Sequence, residues 1–250
     1  VSIGVQPDDK RRFTRLYKDG ARVFCIDIAH GYHKFMKNMI QWIRGTNGKD
    51  YPDVVIIAGN VATGQGAQAL FSWGASIVKV GIGGGSVCRT RSNTGVGIPQ
   101  FSALDECRQV VGGTKPLISD GGITTAGDVA KALIKADAVM VGGALAGTTE
   151  TPGKVYPVRG TNLLNRQFYK VFGGSASGEN KVNNGRKQEF VEGEMKTVPF
   201  KGHAKYILKE IKHGIQSACS YAGAWNLDEY KSKVQYDEIS IGGKMESKYE

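Results

Sequence analysis

The 250-residue chain has no CxxC pair among its four cysteines, Cys25, Cys88, Cys107 and Cys219. It therefore lacks the ligand spacing of a zinc ribbon and the redox pair of a thioredoxin-like protein. The stretch VSIGVQPDDKRRF does not have the shape of a secretory leader, so free thiols in a reducing, cytoplasmic setting are the expectation. No apolar run reaches about 18 residues, which argues against a membrane partner or span. His30 and His33 show no HExxH or comparable spacing, which argues against a zinc enzyme. Basic residues outnumber acidic ones, 33 to 23, for a formal charge of +10, yet no block is denser than KRR. A nucleic-acid surface would gather that charge into a stripe. Scattered, it suits anionic small molecules, and no nucleic-acid partner is expected.

What the chain does have is glycine, 35 residues of it, with a hydrophobic content of 40%, proportions that fit a globular enzyme. VSIGV, RVFCIDIA, DVVIIAGNV, SIVKVGIG, PLISDGG and DAVMVGG read as nearly continuous apolar strands, the pattern of a parallel sheet covered on both faces. Between them DDKRRFTRLYKDG, GYHKFMKNMIQWIRG, TGQGAQALFSWG, the stretch after Pro99 and TAGDVAKALIKA read as helices. In the last of these Thr124 or Thr125 can cap the start, and Val129, Ala132, Leu133 and Ala136 share one face.

This alternation predicts parallel α/β architecture, either an open doubly wound sheet or a (β/α)8 TIM barrel. Glycines follow several strands (GIGGG, SDGG, VGG), and in a barrel those loops would share one face. Six strands are two short of closure and the chain starts with Val, so the expected form is a barrel lacking its first two strands, in a fragment or one part of a split protein. Residues 148–201 are polar, with glycine pairs and mixed charges, which predicts a flap or mobile loop. HAKYILKEIKHGIQSACSYAG then restores a helical period, with Tyr206, Ile207, Ile211 and Ile215 at core-facing spacings. The barrel unit is expected over residues 1–236, with residues 237–250 a peripheral tail.

The sharpest chemical candidate lies in GIGGGSVCRTR, residues 81–91, where Cys88 follows Gly81, Gly83, Gly84 and Gly85 and precedes Arg89 and Arg91. Thiolate is the nucleophilic form of cysteine, and nearby cations and main-chain donors favour it. Cys25 falls inside a predicted strand, and Cys107 and Cys219 inside predicted helices, so these three read as packing residues. Asp120, at a strand end, could accept hydrogen bonds from ribose hydroxyls or merely cap the next helix. Gly142 and Gly143 could offer N–H donors to a phosphate, in loops where barrels favour phosphate. Thr90 and Glu192 are candidate proton handlers for a thiol that adds to a ring.

GIGGGSVCRTR followed by TGVGIPQ resembles the cysteine loop of the IMP dehydrogenase/GMP reductase family. ISDGGITTAGDVAKAL, VMVGGALAG and VPFKG are similar to further segments of that family, in the same order. The resemblance implies a (β/α)8 barrel whose third to eighth strands are present here. It implies that Cys88 attacks C2 of a purine, with Thr90 and Glu192 handling protons at that carbon. Asp120, Gly121, Gly122, Gly142 and Gly143 match nucleotide contacts, joined by Gly173, Gly174, Ser175 and Gly193. Asp27, Ile28, Ala29, Ile82 and Gly83 match the lining of the nicotinamide cofactor site. Gly83, Gly85, Cys88 and Arg91 match ligands for a monovalent cation, typically K+. Ser217, Ala218, Cys219 and Ser220 match a segment that reaches a neighbouring subunit's cofactor, and a homotetramer is implied.

The dehydrogenases of the family carry an Arg-Tyr pair on a long flap to activate water, and residues 173–192 contain no such dipeptide. CSYAGAWNL also looks closer to the reductases, whereas GNVATGQGAQAL and LAGTTETPG read more like the dehydrogenases. The resemblance thus implies a GMP reductase that uses NADPH, with IMP dehydrogenase as the first rival and a non-catalytic purine-nucleotide-binding paralogue as the second. Arg89 stands where the family usually has a small or apolar residue beside the cysteine.

Overall fold

In the computed structural model, residues 1–45, 50–158, 167–173 and 194–240 are described. The main sheet has six strands, β1 (Ser2–Ile3), β2 (Val23–Asp27), β3 (Val55–Val61), β4 (Ile77–Val80), β5 (Leu117–Asp120) and β6 (Ala138–Met140). They pair side by side in sequence order and all in parallel. Helices α1 (Pro7–Lys18), α2 (Lys34–Arg44), α3 (Gly64–Trp73), α5 (Gln100–Val111) and α6 (Ala126–Leu133) connect successive strands. A five-residue helix, α4 (Thr90–Thr94), that sequence patterning did not suggest interrupts the β4–β5 crossover. This is a partial TIM barrel, with β1 and β6 as the edges among the described residues.

Local chemistry explains where the helices start. Pro7 opens α1, where its missing N–H costs nothing, and Gln6 and Asp9 form a capping box. Thr125, not Thr124, caps α6: its hydroxyl accepts from the Asp128 N–H at 3.2 Å, and Asp128 accepts in return from the Thr125 N–H at 2.8 Å. Asp120 therefore has no part in capping that helix.

Ile26, Ile56, Val78 and Leu117, from four adjacent strands, are fully buried against the helices with Phe13, Ile40, Leu70 and Leu104. Val129, Ala132, Leu133 and Ala136 join this core, as the spacing predicts. The expectation of strands covered on both faces holds at β4, where Val78, Lys79 and Val80 are all buried, and fails at β2, which alternates exposed and buried residues. A closed barrel fills its inner face with side chains from all its strands.

Residues 148–201, expected as a flap or mobile loop, contain strands. β7 (Tyr156–Pro157), β8 (Phe168–Gly173) and β9 (Met195–Pro199) form a three-stranded antiparallel sheet. Lys170 is buried and donates to the Thr148 carbonyl at 2.9 Å and the Thr151 carbonyl at 2.5 Å, fastening β8 to the turn beyond β6. The single charge inside this aromatic and apolar strand is satisfied by main-chain oxygens. After the hairpin, α7 (Ala204–Tyr221) runs along α6, where a side chain on Gly214 would collide with Ala126. Ile211 and Ile215 pack on the core as expected, but Tyr206 is 61% exposed. One position before Ile207, it lies about 100° around the helix from that stripe. A last helix, α8 (Leu227–Lys233), packs Tyr230 over the Ala130 carbonyl.

Asp137, just ahead of β6, binds Arg108 at 2.6 Å, Lys231 at 2.8 Å and the Leu117 N–H at 2.9 Å. Burial alone would push its carboxyl up, but Lys231, the Leu117 N–H and Arg108 outweigh it and hold the pKa below the ordinary value. Stability from a depressed carboxyl is present above the unfolded-chain pKa of about 3.9 and is lost as pH falls through the lower folded value. Asp137→Asn is expected to cost about 1–2 kcal/mol near neutral pH. Urea midpoints at pH 7 and pH 3 check this: the wild-type advantage should shrink in acid.

Candidate active site

A buried lysine organises the carboxyl ends of the strands. Lys79, in the middle of the apolar run of β4, is only 3% exposed. Its ammonium donates to Asp27 Oδ1 at 3.0 Å and to Asp120 Oδ2 at 2.5 Å, and it also bonds Asn60 Oδ1. The ends of β2, β3, β4 and β5 are thereby tied to one charge. Burial would push the Lys79 pKa down, yet Asp120 and then Asp27 outweigh it and hold the pKa above the ordinary lysine value. Asn60 reaches this cluster from a register shift in β3. Gly59 pairs with Lys79 and Val61 with Val80, so Asn60 is the extra residue. Its amide donates to Asp120 Oδ2 at 3.0 Å and to the Gly81 carbonyl at 2.6 Å.

The glycine loops after β4 and β5 lie main chain against main chain. Gly121 has φ +109°, and a Cβ there would come within 3.1 Å of the Gly84 carbonyl carbon. Gly81 has φ +140°, and a Cβ there would strike the Asp120 carbonyl oxygen. Both positions demand glycine for conformation and for space. Gln100 braces the pair, its amide donating to the Val80 carbonyl at 2.8 Å and to Ser119 Oγ at 3.0 Å.

Cys88 is half-buried at the far side of the same loop. Its N–H donates to the Gly85 carbonyl at 3.0 Å, and its Sγ donates to Thr90 Oγ1 at 3.2 Å. Arg89, next in sequence, pairs with Glu194, just before β9. Ser86 approaches the loop after β6, since a Cβ on Gly143 would lie 2.8 Å from its Oγ. Lys201 closes that loop from the hairpin side, donating to the Ala144 carbonyl at 3.0 Å. A thiol beside a hydroxyl thus sits on the loop whose main chain crosses the glycines after Asp120, a layout suited to covalent addition to a bound polar ring.

A family model described as the IMP dehydrogenase / GMP reductase domain matches residues 1–250. The chain belongs to the IMP dehydrogenase/GMP reductase family. It is 41% identical to a GMP reductase of Phytophthora infestans, over 96% of this chain and 66% of that protein. It is 38% identical to an inosine-5'-monophosphate dehydrogenase of Escherichia coli, over 99% of this chain and 51% of that protein. Among solved structures it resembles GMP reductase from Trypanosoma brucei in complex with guanosine 5'-monophosphate. The TM-score is 0.90 at 36% identity, covering 99% of this chain and 51% of that one. The chain therefore spans about half to two thirds of the length of these relatives. Family members are oxidoreductases of purine metabolism.

Within this family frame, the fold gathers Asp27, Ile28, Ala29, Ile82, Gly83, Gly85, Cys88, Thr90, Asp120, Gly121, Gly122, Gly142 and Gly143 at one end of the sheet. Ile28 is held by main-chain bonds to Gly59 and Asn60, both 3.0 Å, and Ala29 beyond it is exposed. Gly173 ends β8 opposite Met195. Arg91 lays its side chain beside Gly83 and Gly97 and donates to the Ile98 carbonyl. It could join a cation site only through its own carbonyl, which already accepts from the Gly95 N–H at 2.9 Å. Ser217, Ala218, Cys219 and Ser220 fall in the last turns of α7, roughly 20 Å along the axis from its start beside the strand-end loops. The fold does not bring them to this chain's own cluster. Gly174, Ser175, Glu192 and Gly193 lie outside the described residues.

Sequence reasoning missed Lys79, Asn60, Gln100 and Glu194. Lys79 alone carried a signal, a charge inside an apolar strand run that had to be paired if buried. Lys79→Met leaves two carboxylates without their counter-charge. Denaturant unfolding is expected to show a loss of about 3 kcal/mol, the low end for a broken buried pair because both carboxylates reach solvent. The wild-type advantage should hold below about pH 10.4 and fade as pH rises through the higher folded value.

Proposed function

We propose that the protein is a GMP reductase, converting GMP to IMP and ammonia with NADPH as reductant. The observation that carries the reading is the juxtaposition of Cys88 and Thr90, 3.2 Å apart, beside the Asp120–Gly121–Gly122 loop. It is supported by the likeness to the Trypanosoma brucei enzyme complexed with guanosine 5'-monophosphate, and by the lack of an Arg-Tyr pair in residues 173–192. In this reading the Asp120 carboxylate accepts from the ribose hydroxyls. Its Oδ2 is already turned to Lys79 and Asn60, which fixes the orientation of Oδ1. The loops at Gly121, Gly122, Gly142 and Gly143, with Gly173, provide further nucleotide contacts, and in this reading Gly174, Ser175 and Gly193 add the rest. A side chain on Gly142 would meet open space, so its main chain is accessible to a phosphate.

The Cys88 thiolate adds to C2 of the purine, and the C2–N bond breaks as ammonia leaves with a proton delivered by way of Thr90 and Glu192. NADPH, when bound, supplies the hydride that C2 accepts before the C2–S bond breaks and the thiolate is regenerated. The residues proposed to hold the nicotinamide are Asp27, Ile28, Ala29, Ile82 and Gly83. They fit a flat ring: Ala29 is small and exposed, and the Asp27 carboxylate is turned onto Lys79. Gly83, Gly85 and Cys88, with the Arg91 carbonyl, would hold a K+ ion, adding positive charge to the cysteine loop. Among the described residues no group of three or more His, Cys, Asp or Glu side chains converges, so such a cation would depend on main-chain oxygens. The distance of Ser217, Ala218, Cys219 and Ser220 from their own strand ends supports a homotetramer in which they serve a neighbouring protomer. No helix among the described residues is long and apolar enough to cross a membrane.

The test is absorbance at the nicotinamide wavelength with the full-length protein. NADPH consumption with GMP, and little NADH formed from IMP and NAD, is the expected result. The opposite pattern favours IMP dehydrogenase, and purine binding with neither activity favours a non-catalytic paralogue. Cys88→Ser is expected to lower turnover by at least roughly a thousandfold while the nucleotide still binds.

A further inference from the structure

The cysteine loop is glycine-rich on its upstream side, and glycine leaves a backbone many conformations to lose. A nucleophile mounted there needs stiffening from outside the loop. The structure supplies it from β9 and the residue just before it. The Glu194 N–H donates to the Val87 carbonyl at 2.9 Å, and Lys196 Nζ donates to the Ser86 carbonyl at 2.9 Å. The Glu194 carboxylate pairs with Arg89 through one oxygen and faces Lys196 at 3.4 Å through the other. Ser86, Val87 and Arg89 are thus all engaged by Lys196 of β9 and by Glu194 just before it, while Cys88 between them turns its sulfur to Thr90.

We propose that Arg89 and Glu194 form a latch that positions Cys88, a role that rests on reading Cys88 as the nucleophile. Two features separate this latch from ordinary surface pairing. It joins residues far apart in sequence, and it sits on the residue next to the thiol, so any slack passes directly into the Cys88 backbone. Neither side chain touches the reacting carbon in the proposed reaction. Both are positioning residues.

About half of the Arg89 side chain and a quarter of that of Glu194 remain exposed, so the pair is partly screened. Breaking it is expected to shift local opening by about two- to fivefold, the range for such pairs. Hydrogen–deuterium exchange on the full-length protein reads this directly. Arg89→Ala and Glu194→Ala should each speed exchange across residues 85–88 and 194–198 by that factor, the double variant should add nothing further, and Arg89→Lys should keep most of the protection. Exchange at wild-type rates in both alanine variants would falsify the latch. Its effect on Cys88 is read by the rate of iodoacetamide labelling at that residue and by turnover. A twofold or larger change in labelling, with kcat lowered more than KM for GMP and restored by Arg89→Lys, supports positioning. Faster exchange with unchanged labelling overturns it. If the wild type fails to reduce GMP, the proposed activity falls while exchange and labelling still decide the latch.

Discussion

The carboxyl end of this sheet is arranged around one buried ammonium. Lys79 arises from a strand whose other side chains are apolar, and its charge could not remain there without anionic partners. Asp27 and Asp120 supply them from neighbouring strands on either side, and Asn60 fills the remaining direction. One consequence is positional. The carboxylate proposed to hold the ribose and the one bordering the cofactor loop share a counter-ion, so neither can move without disturbing the other. A second consequence is that Asp120 is turned into the sheet and cannot serve the following helix, which Thr125 and Asp128 cap by themselves.

The glycines of the site act first through packing. Gly81 and Gly121 are required because two loops cross at main-chain distance, and the Gly81 N–H is itself taken up by the Val61 carbonyl at 2.8 Å. This close crossing brings the Cys88 loop next to the Asp120 loop, although the residues are far apart in sequence. The hairpin then approaches from the other side. Lys170 anchors its base, Lys201 reaches the loop after β6, and Glu194 with Lys196 grips the cysteine loop. The excess positive charge, scattered in sequence, proves in part to be structural: Lys79, Lys170, Lys196 and Lys201 all hold main-chain or side-chain oxygens near the strand ends.

Much of the architecture was legible from local pattern. All six strand runs form strands, because apolar β-branched segments between glycines have few other stable states. The helices between them begin and end near the expected residues for the same kind of reason. The strands inside residues 148–201 were not legible from the glycine pairs and mixed charges around them, although β8 is an aromatic and apolar run whose single charge, Lys170, is buried and binds carbonyls. Tyr206 was misread because one position of helical phase separates a core stripe from solvent.

The sequence by itself determined the order of strands and helices, the family, and the loop that carries Cys88, since each depends on residues close together along the chain. Tertiary structure decided which groups meet. Lys79 finds its carboxylates 41 and 52 residues away, and Arg89 finds Glu194 across the hairpin. Such pairings follow from strand register and loop crossing, which fix side-chain positions only after the sheet has formed. A charge in an apolar run announces that it must be paired, but geometry alone names its partner.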